Sequence, residues 1–180
     1  ANRQQYGNLL NGVIHLPHTH IPSKNSFSWG QPKHGKEKAD ALNEIIDFHG
    51  KDTIAAVIVE PIAGSTGVLV PPQGYLEKLR KICSENDILL IFDEVITGFG
   101  RVGASFASNR FSVYPDIITL AKGITNATVP MGAVGTNSDI YNTIYNKNKE
   151  KIELFHGYTY SGHPLACAAG LATLEIYEEE

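Results

Sequence analysis

The sequence is poor in several features that would assign a protein to a class at once. Its 180 residues include two cysteines, one methionine and one tryptophan. Two cysteines are too few for a disulfide framework, so we predict that Cys83 and Cys167 are free, buried thiols in a reducing, cytoplasmic compartment. No apolar run approaches the length of a membrane span, which predicts a chain without a membrane-spanning helix.

The charge is also without a strong excess of either sign. Fifteen Lys and Arg stand against nineteen Asp and Glu, which gives a net charge of -4. This balance provides no basic face for nucleic acid and no polybasic patch for a membrane, so we expect neither as a partner. With 42% hydrophobic and 19% charged residues, the composition is that of a globular chain that can bury a core.

Hydrophobic patterns alternate between two periods along the chain. Continuous apolar runs predict strands over 54–60, 88–94, 116–121 and 131–136. Amphipathic patterns predict helices over 38–49, 74–86, 138–145 and 163–179, whereas residues 1–35 look irregular. Strand, helix and strand in succession predict an α/β fold, with a mainly parallel sheet flanked by helices and its strands covered on both faces.

Charged residues follow three of these strands directly. Glu60, Asp93 and Lys122 fall at the carboxyl ends of their strands, where parallel sheets bind ligands, so we expect them along one rim. Because side chains alternate along a strand, Asp93 and Glu94 should lie on opposite faces, and Val95 should return to the side of Asp93. A carboxylate with a branched apolar residue beside it suits a flat heteroaromatic cation.

Lys122 adds an amine to this acid. A lysine that directly follows an apolar strand should be partly desolvated, which favours the neutral amine that attacks an aldehyde and forms a Schiff base. An acid for a pyridinium nitrogen and a lysine for a Schiff base form the pair that pyridoxal 5'-phosphate (PLP) chemistry requires. A structural ion pair between Asp93 and Lys122 is the alternative.

The segment 156–170 reads HGYTYSGHPLACAAG and predicts a helix start. Pro164 suits the first helical turn, and Ser161 could cap it. The hydroxyls of Thr159 and Ser161, together with free N–H groups, could bind a phosphate there. A plain helix cap is the alternative.

Two other motifs are weaker. Residues 98–103 read GFGRVG, a literal G-x-G-x-x-G, which makes a nucleotide-binding dehydrogenase the rival hypothesis to a PLP enzyme. However, the next strand ends in Lys122 instead of an acid, and residues 104–111 are too short and polar to form the crossover helix. The histidines of HLPHTH, residues 15–20, lack a nearby acid or cysteine at ligand spacing, so we predict no metal site.

Four motifs, in order and spacing, resemble those of class III (omega) aminotransferases, which are PLP enzymes of fold type I. They are VEPIAGSTGVLVPPQGYL, ILLIFDEVITGFGR, PDIITLAKGITN followed by PMGAV, and FHGYTYSGHPLACAAG. The resemblance covers nearly all of residues 5–178. Within the class, HGYTYSGHP and LPHT are most similar to the omega-amino acid:pyruvate (beta-alanine:pyruvate) aminotransferases.

This resemblance implies roles at matching positions. Asp93 would keep the pyridine nitrogen protonated, Val95 would stack on the ring, and Lys122 would carry the Schiff base and move the proton. Tyr158 and Thr159 would reach the cofactor phosphate of a partner subunit, which implies an obligate homodimer. Glu60 matches a family acid near the cofactor.

The resemblance also bears on substrates and chain extent. Relatives that use 2-oxoglutarate tend to carry a glutamate where this chain has Ser65, which favours pyruvate as the acceptor; another class III aminotransferase that uses 2-oxoglutarate stays the alternative, ahead of a dehydrogenase or a non-catalytic domain. We expect residues 1–180 to be a partial PLP-binding large domain without the small C-terminal domain, and to be inactive alone.

Overall fold

The computed structural model describes residues 10–147 and 154–179, together with Tyr6 and Ile152. The part of the predicted irregular segment before residue 10 lies outside the described residues, Tyr6 excepted. The chain divides into two compact units, one formed by Ala1–Ala55 with Ile62–Ile88 and the other by Ala56–Pro61 with Leu89–Glu180.

The first unit is helical. Its helices are α1 (Pro22–Asn25), α2 (Ala41–His49) and α3 (Tyr75–Glu85), and two short 3-10 turns cover Lys36–Asp40 and Lys51–Thr53. Helix α1 lies inside the segment predicted to be irregular. Four residues are too few to produce a periodic pattern, and this helix is marked in the sequence only by Pro22 at its start.

Helices α2 and α3 form where the apolar periodicity predicts them. Helix α2 ends at Gly50, whose φ of 82° is easiest for glycine and whose N–H donates to Ile46 O at 2.8 Å. The apolar side chains of α3 face inward as predicted. The buried hydrophobic core of this unit includes Ala39, Leu42, Tyr75, Leu76, Leu79, Ile82, Cys83 and Ile88.

The second unit contains the sheet. Its strands are β1 (Ala56–Val59), β2 (Leu89–Asp93), β3 (Ile117–Leu120) and β4 (Ala133–Thr136), in that spatial order. Strands β1, β2 and β3 are parallel, as predicted, whereas β4 pairs antiparallel with β3. The β3–β4 link holds only a short 3-10 turn over Lys122–Thr125, and a parallel return would need a longer crossover.

The two faces of the sheet differ, contrary to the expectation that both are covered. Val57, Leu90 and Phe92 are buried on one face. On the other face, Ile58 and Val134 are 62% and 66% exposed. In the register of the sheet, Asp93, Thr119 and Val134 lie in one row across β2, β3 and β4, so Asp93 belongs to this open face.

Three helices complete the second unit: α4 (Ala107–Phe111), α5 (Ser138–Lys147) and α6 (Pro164–Glu179). Asn137 caps α5, because its Oδ1 accepts the N–H of Ile140 at 2.9 Å. Within the described ranges, no helix combines the length and the apolar character that crossing a membrane requires.

Candidate active site

Asp93 lies at the carboxyl end of β2 and is half-buried. The N–H of Val95 donates to its Oδ1 at 3.1 Å, an i to i+2 contact that fixes the carboxylate against its own backbone. In the described part of the chain, this is the only hydrogen bond that the Asp93 side chain makes. Its Oδ2 is therefore available to accept a further donor from the open face.

Lys122 lies two residues beyond the end of β3, after Ala121, and begins the 3-10 turn Lys122–Thr125. Its φ of 45° lies in the left-handed region, which costs an L-residue with a side chain about 1–2 kcal/mol. The side chain is exposed. The described residues around the strand end therefore leave the Lys122 side chain exposed and do not bury it.

The structure carries the acid and the amine on neighbouring parallel strands. Asp93 pairs with Thr119, so Lys122 lies three residues beyond that row, roughly 10 Å from Asp93 between Cα atoms at ordinary strand spacing. No ion pair joins the two groups, both of which are described, so the structural ion pair is not formed. Strand alternation would put Lys122 on the side opposite Asp93, but the φ of 45° at Lys122 departs from strand geometry.

Glu60 lies beside this pair along the same edge. It follows β1 by one residue, and Val59 pairs with Phe92, so Glu60 occupies the position next to Asp93. Its side chain is half-buried and has a partner of its own. The three strand-end residues therefore share one edge of the sheet, as the sequence predicts.

Glu94 is fully buried and lies on the opposite face from Asp93, as alternation predicts. Its Oε2 accepts Thr97 Oγ1–H at 2.8 Å and the N–H of Ala107 at 2.7 Å, while Oε1 accepts the N–H of Ser108 at 2.9 Å. The carboxylate thus satisfies the first N–H groups of α4 and joins the loop after β2 to that helix. Sequence reasoning missed this role, although a buried acid ahead of a short helix was its signal.

These hydrogen bonds of Glu94 also argue against a dinucleotide-binding role for GFGRVG. A dinucleotide-binding turn needs a helix whose first N–H groups face a pyrophosphate. Here Glu94 accepts those N–H groups at Ala107 and Ser108, and α4 has five residues. The motif is therefore a turn closed by an internal carboxylate, with Gly100 and Gly103 in the left-handed region at φ 82° and 74°.

The segment before α6 is exposed. Tyr158 is 78% exposed, and Thr159 is exposed as well. Ser161 does not cap the helix as predicted, because its Oγ accepts the N–H of Tyr158 at 3.0 Å. Helix α6 begins at Pro164, and no contact brings Tyr158 or Thr159 to Asp93 or Lys122 in the described part of this single chain.

The remaining candidate groups are the two cysteines and the residue types that bind metal ions. Within the described residues neither Cys83 nor Cys167 forms a disulfide; Cys83 is buried, as predicted, whereas Cys167 is only half-buried. The described residues contain no group of three or more His, Cys, Asp or Glu arranged to hold a metal ion.

The chemistry of the strand-end residues fits part of the PLP molecule. The uncommitted oxygen of Asp93 can accept a hydrogen bond from a protonated ring nitrogen, and the exposed primary amine of Lys122 can condense with an aldehyde. Val95, half-buried beside the acid, offers an apolar surface for the ring. The start of α4 does not serve the phosphate, because Glu94 already accepts its N–H groups.

Known proteins similar to this chain are aminotransferases. The omega-aminotransferase of Caulobacter vibrioides is 63% identical over 179 residues, which are 99% of this chain and 41% of that protein. The omega-amino acid–pyruvate aminotransferase of Pseudomonas putida is 51% identical, over 100% of this chain and 40% of its own length. The chain thus spans about two fifths of the length of these relatives.

Solved structures show the same fold. The omega transaminase of Pseudomonas jessenii in complex with PMP matches 99% of this chain and 39% of its own, with a TM-score of 0.86 and 38% identity. An amine transaminase from an uncultivated Pseudomonas species, in its PLP-bound form, matches 79% of this chain and 32% of its own at a TM-score of 0.73 and 48% identity.

The fold is therefore that of the fold type I transaminases. The sequence model of the class III aminotransferases, whose cofactor is PLP, matches residues 2–180. The chain belongs to the class III aminotransferases.

Proposed function

We propose that these residues are part of the PLP-binding large domain of a transaminase that transfers an amino group from an omega-amino acid or amine, such as beta-alanine, to pyruvate. The observation that carries the proposal is the placement of Asp93 and Lys122 at the ends of neighbouring parallel strands, without an ion pair between them. Relatives named for omega-amino acids, beta-alanine and pyruvate support the substrate class. We further propose a cytoplasmic homodimer.

In this proposal, Asp93 and Val95 hold the ring of the cofactor. Asp93 Oδ2 would accept a hydrogen bond from the ring nitrogen, since the Val95 N–H already donates to Oδ1, and the Val95 side chain would pack against the ring. When bound, PLP supplies an aldehyde that condenses with amines and a pyridinium ring that withdraws electrons from the bond to be broken.

Lys122 has two tasks at its Nζ. Its primary amine would hold the cofactor in the resting enzyme, and it would take up and release the proton that moves during transfer. The exposed Lys122 side chain needs a cover that excludes water from this proton, and the described residues do not provide it. Tyr158 and Thr159, which are exposed here, would reach the cofactor phosphate of the partner subunit. Glu60 would lie beside the ring.

Ser65 supports pyruvate as the acceptor. It is exposed in the turn between Pro61 and Leu69, where a glutamate occurs in relatives that use 2-oxoglutarate. A serine offers no carboxylate to pair with a mobile arginine, so the glutamate–arginine pair typical of those relatives cannot form at this position. The alternative acceptor, 2-oxoglutarate, predicts the opposite preference.

The test uses the complete protein that carries these residues. With PLP added, borohydride reduction should bleach the visible absorbance and attach the label to Lys122, as identified by mass spectrometry. Lys122→Ala should abolish the label, whereas Lys33→Ala, which removes another exposed lysine, should leave it unchanged. A label on any other lysine would refute the role of Lys122.

Substrate preference is tested in the same preparation. Alanine formation from beta-alanine and pyruvate should exceed glutamate formation from beta-alanine and 2-oxoglutarate by at least about tenfold in kcat/KM, which corresponds to about 1.4 kcal/mol. Equal rates, or a preference for 2-oxoglutarate, would contradict the acceptor assignment.

A further inference from the structure

Lys122 is held in an unusual backbone conformation, which needs support from its surroundings. Besides its φ of 45°, Asn126 and Ala127 have φ of 49° and 58° at the other end of the same turn. The N–H of Ala127 donates to Lys122 O at 3.0 Å, and Thr125 Oγ1–H donates to Val129 O at 2.7 Å. These bonds close the turn on its own residues but do not fix it against the neighbouring strand.

Phe99 makes the contact that holds this turn against the loop after β2. A Cβ on Gly123 would lie 2.6 Å from Phe99 Cβ and 3.0 Å from two of its ring carbons, so position 123 has room for hydrogen only. Phe99 belongs to the loop that leaves β2 shortly after Asp93. Gly123, the residue next to Lys122, therefore contacts the loop that follows Asp93.

Phe99 is itself fixed on two further sides. Its ring meets that of Phe106 edge-on, with 5.3 Å between centroids, and stacks on Tyr177 of α6 at 5.7 Å. Its φ of 58° is also left-handed. The Phe99–Gly123 contact thus lies beside two left-handed backbones, those of Phe99 itself and of Lys122, which is the pattern expected where surrounding structure determines the geometry of a functional site.

We propose that the Phe99–Gly123 contact is a positioning device that holds the left-handed turn of Lys122, and so sets the amine relative to Asp93. Strand alternation alone would direct Lys122 away from the side of Asp93, and only a maintained turn changes that direction. The inference rests on the proposed function, because it concerns the approach of Lys122 to the cofactor. Phe99 is a positioning residue and touches no reacting atom in this account.

Gly123→Ala tests the contact in the complete, PLP-loaded protein. The added methyl must displace the turn or Phe99, and a displacement of about 1 Å should slow borohydride trapping at Lys122 by on the order of tenfold to a hundredfold. Gly132→Ala is the matched control, since its Cβ would meet only Leu120 O, at 3.4 Å. Thermal unfolding without cofactor shows whether the variants are folded.

Phe99→Gly makes the test specific. It removes the Cβ that faces position 123 and relieves the left-handed strain at position 99, although it also loses the ring contacts. In the Phe99→Gly background, Gly123→Ala should change the trapping rate less than about twofold, which is the non-additivity expected of residues in contact. The pH dependence of the visible absorbance should shift in Gly123→Ala and return toward the Phe99→Gly value in the double variant.

The outcomes separate the two proposals. Absence of any label or visible band in the unmodified protein would refute the proposed function. A labelled unmodified protein, with Gly123→Ala trapped as fast as Gly132→Ala, would overturn the positioning role alone. So would an equal effect of Gly123→Ala with and without Phe99.

Discussion

The buried carboxylate of Glu94 makes the strongest prediction for stability. Glu94→Gln keeps the shape of the side chain but replaces one acceptor oxygen by an NH2 group. The amide oxygen can take the place of Oε2 and retain Thr97 and Ala107, so the NH2 group then faces the N–H of Ser108. One buried backbone donor loses its acceptor, and two charge-assisted hydrogen bonds become neutral.

The magnitude follows from these bonds. An unsatisfied buried donor costs about 1–3 kcal/mol, and the loss of charge weakens each of two remaining bonds by about 0.5–1 kcal/mol. We therefore expect Glu94→Gln to lower the free energy of unfolding by about 2–5 kcal/mol. Urea unfolding without cofactor, followed by circular dichroism, measures this as a lower midpoint at unchanged slope.

Asp93→Asn is the matched control, because it is the adjacent acid on the opposite face of β2. Asp93 is half-buried, and an amide oxygen can still accept the Val95 N–H, so the change should stay below about 1 kcal/mol. If the two variants unfold within about 0.5 kcal/mol of each other, the reasoning about Glu94 is refuted.

Two further predictions concern titration and the start of β3. Burial raises the pKa of Tyr75 above the ordinary 10.0, so the unfolded chain loses this proton first and stability falls as pH rises above about 10. Tyr75→Phe should remove part of that alkaline loss, whereas Phe at the exposed Tyr114 should not; equal alkaline midpoints would contradict this. Asp116 Oδ2 accepts the N–H of Leu90 at 2.7 Å, and its Oδ1 accepts Asn137 Nδ2–H at 3.3 Å. Asp116→Ala should therefore lower the free energy of unfolding by about 2–3 kcal/mol, as measured by urea unfolding. A change under about 1 kcal/mol would show that water replaces these bonds.

The sequence predicts well what depends on local periodicity. All four strands and the four longer helices form within a few residues of their predicted positions, because each has enough residues to show its period. The strand ends that carry Glu60, Asp93 and Lys122 follow from the same patterns. The parallel order of β1 and β2 also follows, since a helix separates them.

Long-range contacts could not be read from these patterns. The antiparallel direction of β4 depends on a link that is too short for a crossover. The exposure of Ile58 and Val134 depends on which other segments reach their face of the sheet. The exposure of Lys122 has the same origin, because an apolar strand does not by itself cover the residue that follows it. The Phe99–Gly123 contact joins positions that share no local pattern, so only the folded chain reveals it.

The open face of the sheet has a practical consequence for handling these 180 residues. Branched aliphatic side chains in contact with water drive copies of the chain together, and this attraction weakens on cooling, since the hydrophobic effect is largely entropic near room temperature. Cold, dilute buffer with a mild denaturant is therefore the medium in which separate molecules should survive longest. Warming and sulfate, which both strengthen the burial of apolar surface, would favour precipitation instead.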